Sequence, residues 1–561
     1  MSATSERLSA MFLAELQALD AFAARREAEG GLLPGRDDPD VRRILEAMAF
    51  FSARTRAAAA AATRAAVRRI AAGTLDDLLA TSPAAMMVQA APDGGLIEPS
   101  GLPAGTLLRV STPEGKAGIF STARPLAVLP IEIEGAALVE VRRRLRLTLR
   151  LRARRPIKGA VELPIHVRRL NDYRASLALH DALEQHAVGA FAVADGDGRE
   201  APCRIAFGAE PPRRLADEVG EPGALARIRG FFHLPEQDLF VHVAVPPAPS
   251  PWSALAIHLE LDEAFPADIV VPRDAFHLFV VPAVNAWTDL SAPVLCDGTR
   301  DGYPVQSPSA VLEAVELAGV RGVYRSDDRG LSPILPAALA LGSGAEPGLS
   351  GRSPGGGQAG DTYELEEDEE GGPPRLRLQI AGAFERPAKV QVDARWSQPG
   401  LWSSAAGRLA IAPQTRHLPA ISFRALGPLR RPEESPLARD PARCLDVLSL
   451  RMRPSLSRRD LMGMLEILGT GADGPYRGAH ALVDSLEVAE AADPARRAGG
   501  VRRVYRLALR RRGPEDAPLL RRLAAQVVEL LDAWTEEPVD VEIDARGDAP
   551  RRALPAGGGR A

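Results

Sequence analysis

The chain has 561 residues, of which 46% are hydrophobic and 25% are charged. This is an ordinary globular composition, and the length predicts several domains rather than one core. The net charge of −4 excludes a strong overall attraction to nucleic acid or to acidic membranes. Cys203, Cys296 and Cys444 are far apart in the sequence, which excludes a disulfide scaffold and fits a reducing compartment. We expect a cytoplasmic protein without a signal peptide, since no apolar segment resembles one.

Two amphipathic helices are predicted at the start of the chain. Apolar residues recur at helical spacing over residues 4–28, and the stretch "GGLLPGRDDP" then interrupts the pattern. A second helix is predicted to begin at Asp37-Asp38-Pro39, because an acidic cap followed by proline is a typical helix start. Both helices are too poor in large apolar residues to fold alone, so we predict a helical hairpin that packs against another surface.

Short strands separated by proline and glycine are predicted in the middle of the chain. One of them, "RRRLRLTLRLRARR" at 142–155, has eight arginines in fourteen positions and could be a nucleic-acid-binding arm. Its leucines alternate strictly with arginine or threonine, which instead predicts a strand with a buried leucine face and a solvated arginine face. An acidic partner could still pair with that face. We also predict a short helix over 176–190 and strands over 227–245 and 274–287.

The C-terminal part of the chain has alternating strand and helix patterns. It contains a predicted strand at 444–452, a helix capped by Ser457, two further strands, a helix over 516–534 and a final strand. This βαββαβ order is that of the ferredoxin-like arrangement. The predicted fold class is therefore α+β and multidomain, with an N-terminal helical hairpin, β-rich middle domains and a C-terminal α/β module.

Changes in composition suggest the domain boundaries. Glycine, serine, proline and glutamate dominate between Gly342 and Pro374, including the acidic run Glu364–Glu370, which predicts a disordered loop or linker. The predicted segments are, in order, a helical bundle segment, two β-rich domains, the disordered loop, a β extension, the α/β module and a tail, at residues 1–80, 81–235, 236–341, 342–373, 374–442, 443–546 and 547–561.

Motifs that would indicate catalysis or metal binding lack the required context. "GTGADG" at 469–474 matches the dinucleotide pattern G-x-G-x-x-G, but a predicted helix precedes it, so we interpret it as a helix-terminating turn. "DGDGRE" at 195–200 lacks the ligand spacing of a calcium loop and fits a hairpin turn. The nine histidines show no zinc-ligand spacing. We therefore predict no catalytic residue, no cofactor and no metal.

Short motifs in a fixed order carry a family resemblance. The most specific is "DDPDVRRILEAMAFFSARTR" at 37–56, and "FLAELQAL" at 12–19 precedes it. "LPAGTLLRV", "LARIRGFFHLPEQDLFVHV" and "FHLFVVPAVNAWTDLSAPV" follow. Together they resemble the TssF family (also called VasA or ImpG), a baseplate wedge subunit of the bacterial type VI secretion system. The resemblance spans residues 8–310 and, more loosely, 443–545. "VDARWSQPGL" at 392–401 departs from the family pattern and marks a divergent member.

The resemblance implies a structural, non-enzymatic protein. Such a subunit assembles with the TssG, TssK and TssE baseplate proteins into wedges around the VgrG spike, with two copies in each wedge. It works in the cytoplasm at the inner face of the inner membrane. The N-terminal helices then join a bundle with TssG, and the predicted interface is their apolar stripe, namely Leu8, Phe12, Leu16, Val41, Leu45, Met48 and Phe51.

Three alternatives stay open. The two helices could only cap the following β domain of the same chain. The whole chain could be a β-rich multidomain module that binds a protein or a glycan as an isolated monomer. It could also be an enzyme whose site is assembled from distant residues, which a deep pocket with perturbed pKa values would favour.

Overall fold

The computed structural model describes most of the chain. The described residues are 3–28, 38–71, 80–141, 144–170, 172–195, 198–209, 223–309, 312–327, 330–337, 361–366, 373–379, 387–403, 407–414, 420–492, 501–511, 513–535 and 539–546. They form two compact units, each built from non-consecutive segments. The first unit comprises Met1–Thr81, Thr288–Gly400 and Glu434–Leu445, and the second comprises Ser82–Trp287, Leu401–Glu433 and Asp446–Ala561. The consecutive domain segments inferred from composition stay predictions.

The secondary structure is α+β and rich in strands, as predicted. The helices are α1 (Ala3–Ala28), α2 (Pro39–Ala71), α3 (Tyr173–His186), α4 (Ala224–His233), α5 (Pro399–Trp402), α6 (Pro436–Arg439), α7 (Pro441–Ser449), α8 (Arg458–Leu465) and α9 (Ala517–Trp534). The strands are β1 (Ala85–Pro92), β2 (Ser100–Leu102), β3 (Leu107–Ser111), β4 (Ala117–Thr122), β5 (Leu126–Val128), β6 (Ile131–Val141), β7 (Arg144–Ile157), β8 (Val161–Val167), β9 (Ala187–Ala194), β10 (Glu200–Phe207), β11 (Phe240–Val245), β12 (Trp252–Leu261), β13 (Phe276–Leu278), β14 (Val280–Val284), β15 (Ala286–Leu290), β16 (Val294–Cys296), β17 (Tyr303–Pro304), β18 (Glu316–Asp327), β19 (Gly330–Pro336), β20 (Thr362–Glu366), β21 (Arg375–Gln379), β22 (Ala388–Ser397), β23 (Ala410–Pro413), β24 (Ile421–Ala425), β25 (Val483–Ala492), β26 (Val501–Arg510) and β27 (Val539–Arg546).

The second unit is organised around a barrel and a large sheet. Among its described residues, a closed barrel has the strand order β1-β14-β4-β3-β23-β24, and an eight-stranded sheet has the order β13-β8-β11-β10-β9-β12-β7-β6. One continuous apolar core includes residues of both. Within it, Phe120 of β4 packs edge-on against Trp402 of α5, with 5.0 Å between the ring centroids.

The arginine-rich stretch forms strand β7, as the alternation predicted. Leu147, Leu149 and Leu151 are buried, and the alternate residues, which include Arg146, Arg150 and Arg152, lie on the opposite face of the strand. Neighbouring strands supply their counter-charges, for example through an Arg146–Glu260 ion pair at 3.1 Å. The strand therefore has one apolar face and one charged face that is largely neutralised within the sheet.

The first unit contains the helices α1 and α2 and a second sheet. In its described residues this sheet has the order β15-β22-β18-β19-β20-β21-β17, and β16 pairs with β22. The predicted disordered loop is wrong for Thr362–Glu366, which forms β20. This stretch forms a strand because its apolar residues alternate with glutamates, and Glu366 pairs with Arg377 of β21 at 2.9 Å. Residues 342–360 and 367–372 of the predicted loop lie outside the described residues.

Two predicted element boundaries in the middle of the chain need correction. The helix predicted over 176–190 is α3, which ends at His186 because β9 begins at Ala187. The strand predicted over 227–245 begins only at Phe240, and α4 and a 3₁₀ turn precede it. The α4 sequence is helical because its buried apolar residues are spaced by three and four positions, at Leu225, Ile228, Phe231 and Phe232.

The strand predicted at 444–452 is also wrong, because this stretch is helical. Helix α7 ends at Ser449, and a 3₁₀ turn follows it. The buried residues Cys444, Val447 and Leu450 recur every three positions, which suits a helix and not a strand. The signal that the prediction missed is the helix start, where Asp440 precedes Pro441 and accepts a backbone hydrogen bond from Arg443 at 3.1 Å.

The remaining C-terminal elements are confirmed. Helix α8 begins at the predicted cap, where Ser457 and Asp460 form a reciprocal capping box. Strands β25 and β26 are antiparallel, and α9 connects β26 to the parallel strand β27. Since α7 replaces the first strand, the described residues form a three-stranded sheet and not the four-stranded ferredoxin-like arrangement. Ion pairs such as Arg522–Glu184, at 2.6 Å, join α9 to α3.

Candidate functional site

The helices α1 and α2 pack against each other as the predicted hairpin. Ala49 and Ala53 of α2 are fully buried, and their small side chains allow the two helices to approach closely. Glu15 of α1 accepts a hydrogen bond from Ser52 at 3.0 Å and forms an ion pair with Arg56. These hydrogen bonds lower the pKa of Glu15, so its carboxylate is charged at neutral pH.

The structure separates the seven predicted interface residues into two groups. Five of them are half-buried, on the sides of α1 and α2 that also carry the contacts within the hairpin; they are Leu8, Phe12, Leu16, Val41 and Leu45. The other two, Met48 and Phe51, are exposed, with 54% and 66% of their surface accessible. The predicted interface therefore contains two kinds of residue. Five of them help to close the hairpin, whereas α1 leaves Met48 and Phe51 uncovered.

The exposed residues belong to one stripe along α2. Ile44, Met48 and Phe51 are spaced by four and three positions, which places them on the same helix face. Ile44 is 60% exposed, similar to the other two. We call these three residues the outer stripe. Ile44 was not among the predicted interface residues, although its spacing of four residues from Met48 indicates the same helix face.

Further large apolar residues are exposed on the same hairpin. Leu13 and Phe22 of α1 and Phe50 of α2 are among them. Scattered single apolar residues on a surface need no explanation, but several on two packed helices form the kind of surface that marks a protein–protein contact. The arrangement is chemically suited to packing against another helix and contributes no catalytic group.

Buried titratable groups of the second unit have internal partners. The His180 Nε2 atom donates to the Phe240 carbonyl at 2.9 Å, and its Nδ1 atom accepts from Arg522 at 3.1 Å. Burial lowers the pKa of His180 and of His166 to about 3, so both rings are neutral at pH 7. Burial also raises the pKa of Asp238 to about 6. We therefore interpret these buried groups as structural residues of the core.

A small cavity adjoins the buried histidine His166. It has a volume of about 20 Å³, and Glu236, Tyr173 and Met87 also line it. A cavity of this size has room for one water molecule and is too small for an organic substrate. The cavity therefore gives no support to the alternative of an enzyme with a dispersed site.

The two glycine-containing motifs have the structures that their context predicted. Gly469 of "GTGADG" lies in the π-helical turn Glu466–Thr470 that continues α8, so the motif ends a helix. "DGDGRE" connects β9 to β10, which pair antiparallel, so it joins a hairpin. Its residues 196 and 197 lie outside the described residues.

The described histidines lie in several different elements of the fold. His242, His258 and His277 are half-buried in strands β11, β12 and β13. The three cysteines are free thiols. In the part of the chain that the structure describes, histidine, cysteine, aspartate and glutamate form no group of three or more that could hold a metal ion.

A family model decides the identity of the chain. The model described as "Type VI secretion system, TssF" matches residues 20–340, which is more than half of the chain. The chain belongs to the TssF family. The match includes all of α2 and therefore the outer stripe, whereas Leu8, Phe12 and Leu16 of α1 precede it.

Solved structures share the fold of this TssF-family chain. A chain in the cryo-electron microscopy structure of the type VI secretion system TssK-TssF-TssG baseplate subcomplex is 15% identical, with a TM-score of 0.70, over 93% of this chain and 99% of that one. A chain in the structure of the baseplate complex from the type VI secretion system is also 15% identical, with a TM-score of 0.60, over 96% of each. At this identity the likeness concerns the fold.

No curated protein sequence matches this TssF-family chain. No helix in the described ranges combines the length and the apolar composition that a membrane span requires.

Proposed function

We propose that this TssF-family chain is a structural subunit of a type VI secretion baseplate and assembles with TssG-like and TssK-like proteins. Family membership and the fold shared with a chain of the TssK-TssF-TssG subcomplex support the proposal. The role is that of a scaffold without a catalytic step. It requires surfaces that bind other subunits, and the outer stripe of α2 is the observation that carries it.

The outer stripe fits the contribution of one helix to an intermolecular bundle. Burying a methionine or phenylalanine side chain stabilises an association by about 1.5–3 kcal/mol each, and Met48 and Phe51 are more than half exposed. We assign the intermolecular contact mainly to Ile44, Met48 and Phe51. The five half-buried residues of the predicted interface, Leu8, Phe12, Leu16, Val41 and Leu45, contribute chiefly to the hairpin and expose their remaining surface to the same partner.

The wider assembly follows from the family resemblance. It includes a TssE-like subunit, a VgrG spike enclosed by the wedges, and two copies of this chain for each TssG-like subunit. The place of action is the cytoplasmic face of the inner membrane, which the chain reaches through its partners. These features extend the proposal beyond TssG and TssK.

The experiment compares two variants of α2 for their ability to assemble. Met48→Asp combined with Phe51→Asp places two charges on the outer stripe, and Thr63→Asp places one on an exposed position of the same helix, more than three turns beyond Phe51 and off that stripe. We expect the double variant to lose co-purification with the TssG-like protein, with affinity reduced at least about 100-fold, because two apolar contacts are replaced by buried charges. Thr63→Asp should co-purify normally.

The circular dichroism spectrum serves as the control for folding. Because Met48 and Phe51 are exposed, both variants should retain the helix content and thermal transition of the unmodified chain. Normal assembly of the double variant would show that the outer stripe is not the contact surface. Loss of assembly in Thr63→Asp as well would show that the effect is not specific to the stripe.

A further inference from the structure

The barrel of the second unit has a weak seam between β23 and β24. Strand β23 pairs with β3 over the four residues Ala410–Pro413, whereas its ladder with β24 consists of the single pair Ile411 and Phe423. On its other side, β24 pairs with β1 over five residues. Described residues within 407–411 and 423–431 line a groove beside this seam, with a volume of about 1010 Å³.

Positive charge surrounds the groove. Arg408, Arg424 and Arg431 are exposed on its rim, and Arg168 and His277 are half-buried in its wall. Among the described residues that line it there is no aspartate or glutamate. Burial, with Arg424 and Arg168 nearby, lowers the pKa of His277 to about 4, so this ring is neutral at pH 7 and the arginines supply the charge.

Polar groups outside the lining reduce this charge only in part. The Asp274 carboxylate attracts the protonated form of His277, and the Glu236 carboxylate attracts the charge of Arg168. Glu236 also forms an ion pair with Arg430. Arg424 donates to the neutral amide of Gln89 at 2.8 Å, which leaves its charge uncompensated by that contact. A positive groove on a chain whose net charge is −4 is a local feature and not a consequence of overall composition.

The floor of the groove is apolar. Leu409, Ile411 and Leu429 are half-buried there, and Phe423 and Leu426 are buried beneath. In an extended peptide, successive side chains point to opposite sides. A peptide with alternating apolar and acidic residues would therefore place one set on this floor and the other set near the rim arginines.

We propose that this groove binds an acidic, extended segment of a partner protein. The segment lies along the groove beside β23 and β24, and its carboxylates pair with Arg408, Arg424 and Arg431. The groove beside the short β23–β24 ladder has room for an extended segment, and arginine–carboxylate pairs supply charge-assisted hydrogen bonds. This binding is separate from the contacts of the α1–α2 hairpin, so it can be tested whether or not those contacts form.

The chemistry of the floor favours a peptide over a nucleic acid. Grooves that bind single-stranded nucleic acid combine positive charge with exposed aromatic side chains on which bases stack. Among the described lining residues, those of the half-buried floor are aliphatic, Phe423 is only 8% exposed, and the His277 ring is half-buried in the wall. A leucine or valine side chain fits such a floor better than a base does.

The test uses the full chain and a fluorescein-labelled peptide of alternating leucine and glutamate, with binding followed by fluorescence anisotropy. Arg408→Glu combined with Arg431→Glu should weaken binding at least about tenfold, because it reverses two rim charges. The matched control is Arg150→Glu combined with Arg155→Glu, which reverses two exposed charges on β7 and should change binding less than about twofold. Added salt should weaken the binding of the unmodified chain.

Two further probes separate the proposal from its alternatives. A peptide of alternating serine and glutamate should bind at least about tenfold more weakly, because it leaves the apolar floor uncovered. Equal binding of this peptide, or no binding of the leucine–glutamate peptide to the unmodified chain, would overturn the proposal. The proposal would also be overturned if a single-stranded DNA oligonucleotide bound as tightly as the peptide and lost binding in the rim variant. If the chain self-associated and the rim variant abolished this self-association, the occupant of the groove would be a second copy of the chain, which would also overturn the proposal.

Discussion

Gly469 is a residue at which backbone conformation and packing together determine the residue type. Its φ angle is +146°, a region that other residues rarely adopt, and a Cβ atom at this position would lie 2.6 Å from the Cβ atom of Phe232. The sequence marked it as part of a helix-terminating turn. The close approach of α4 residue Phe232, about which the local sequence has no information, could not be predicted.

Replacing Gly469 with alanine should destabilise the second unit. We expect Gly469→Ala to lower its free energy of unfolding by about 3 kcal/mol, since backbone strain and overpacking act together. The matched control is Gly463→Ala in α8, where no atom would contact the new methyl group and helix propensity should raise stability by about 1 kcal/mol. Urea unfolding of the two variants measures both, and shifts of the same sign would contradict the assignment.

His180 predicts that stability falls with acidity. Its pKa is about 6.5 in an unfolded chain and about 3 in the fold, because burial and the neighbouring Arg522 disfavour the charged ring. Its stabilising effect is therefore complete above pH 6.5 and is lost progressively as the pH falls toward 3. At pH 5 the loss is about 2 kcal/mol relative to pH 7.5.

The measurement for His180 is a comparison with His180→Gln. Glutamine does not titrate, so the unmodified chain should lose about 2 kcal/mol more stability than the variant between pH 7.5 and pH 5. Other titrating groups, such as Asp238, are present in both proteins and cancel in this difference. Parallel pH profiles of urea unfolding would show that His180 is not held neutral by the fold.

At the scale of the element, strand β7 shows how far a two-residue period determines structure. Leu149→Ala should lower the free energy of unfolding by about 3 kcal/mol, because it removes a buried side chain from a packed core. Arg150→Ala, one position along on the exposed face, should change it by less than about 0.5 kcal/mol. Urea unfolding followed by tryptophan fluorescence measures both, and similar losses for the two variants would contradict the assignment of faces.

Elements were predictable where a local signal agreed with the hydrophobic period. The starts of α2 and α8 were found because Asp38-Pro39 and Ser457 are recognisable caps. The predictions failed at α4 and α7, where short apolar runs suit a strand or a helix equally well until the spacing of the buried residues is known. Strand β20 was not predicted because it lies in a segment whose glycine- and glutamate-rich composition indicated disorder, although its apolar residues alternate with glutamates.

The assembly surface was predictable only in part for a related reason. An apolar stripe shows that a helix face is covered, but it does not show which molecule covers it. The contacts of Glu15 with Ser52 and Arg56 orient α1 on α2, and this orientation leaves Met48 and Phe51 exposed. The orientation of α1 on α2 depends on contacts between residues 37 positions or more apart. The spacing of apolar residues within either helix therefore does not predict it.

At the scale of the whole molecule, the architecture depends on pairings between distant segments. In the barrel, β1 pairs with β14, about two hundred residues further along the chain, and with β24, more than three hundred residues further along. Sequence patterns identify strands but do not identify such distant partners. The positive groove likewise combines Arg168 and His277 with Arg408 and Arg424. Family resemblance supplied the function that these patterns alone did not.

The most direct test of the proposed function is the mass of the complex that this chain forms. The chain is co-expressed with the TssG-like and TssK-like proteins of the same cell, and the co-purified species is weighed by native mass spectrometry. The account predicts a stable complex that contains two copies of this chain for each TssG-like subunit. A well-folded monomer that binds neither protein would contradict it and would favour a β-rich module that binds its ligand alone.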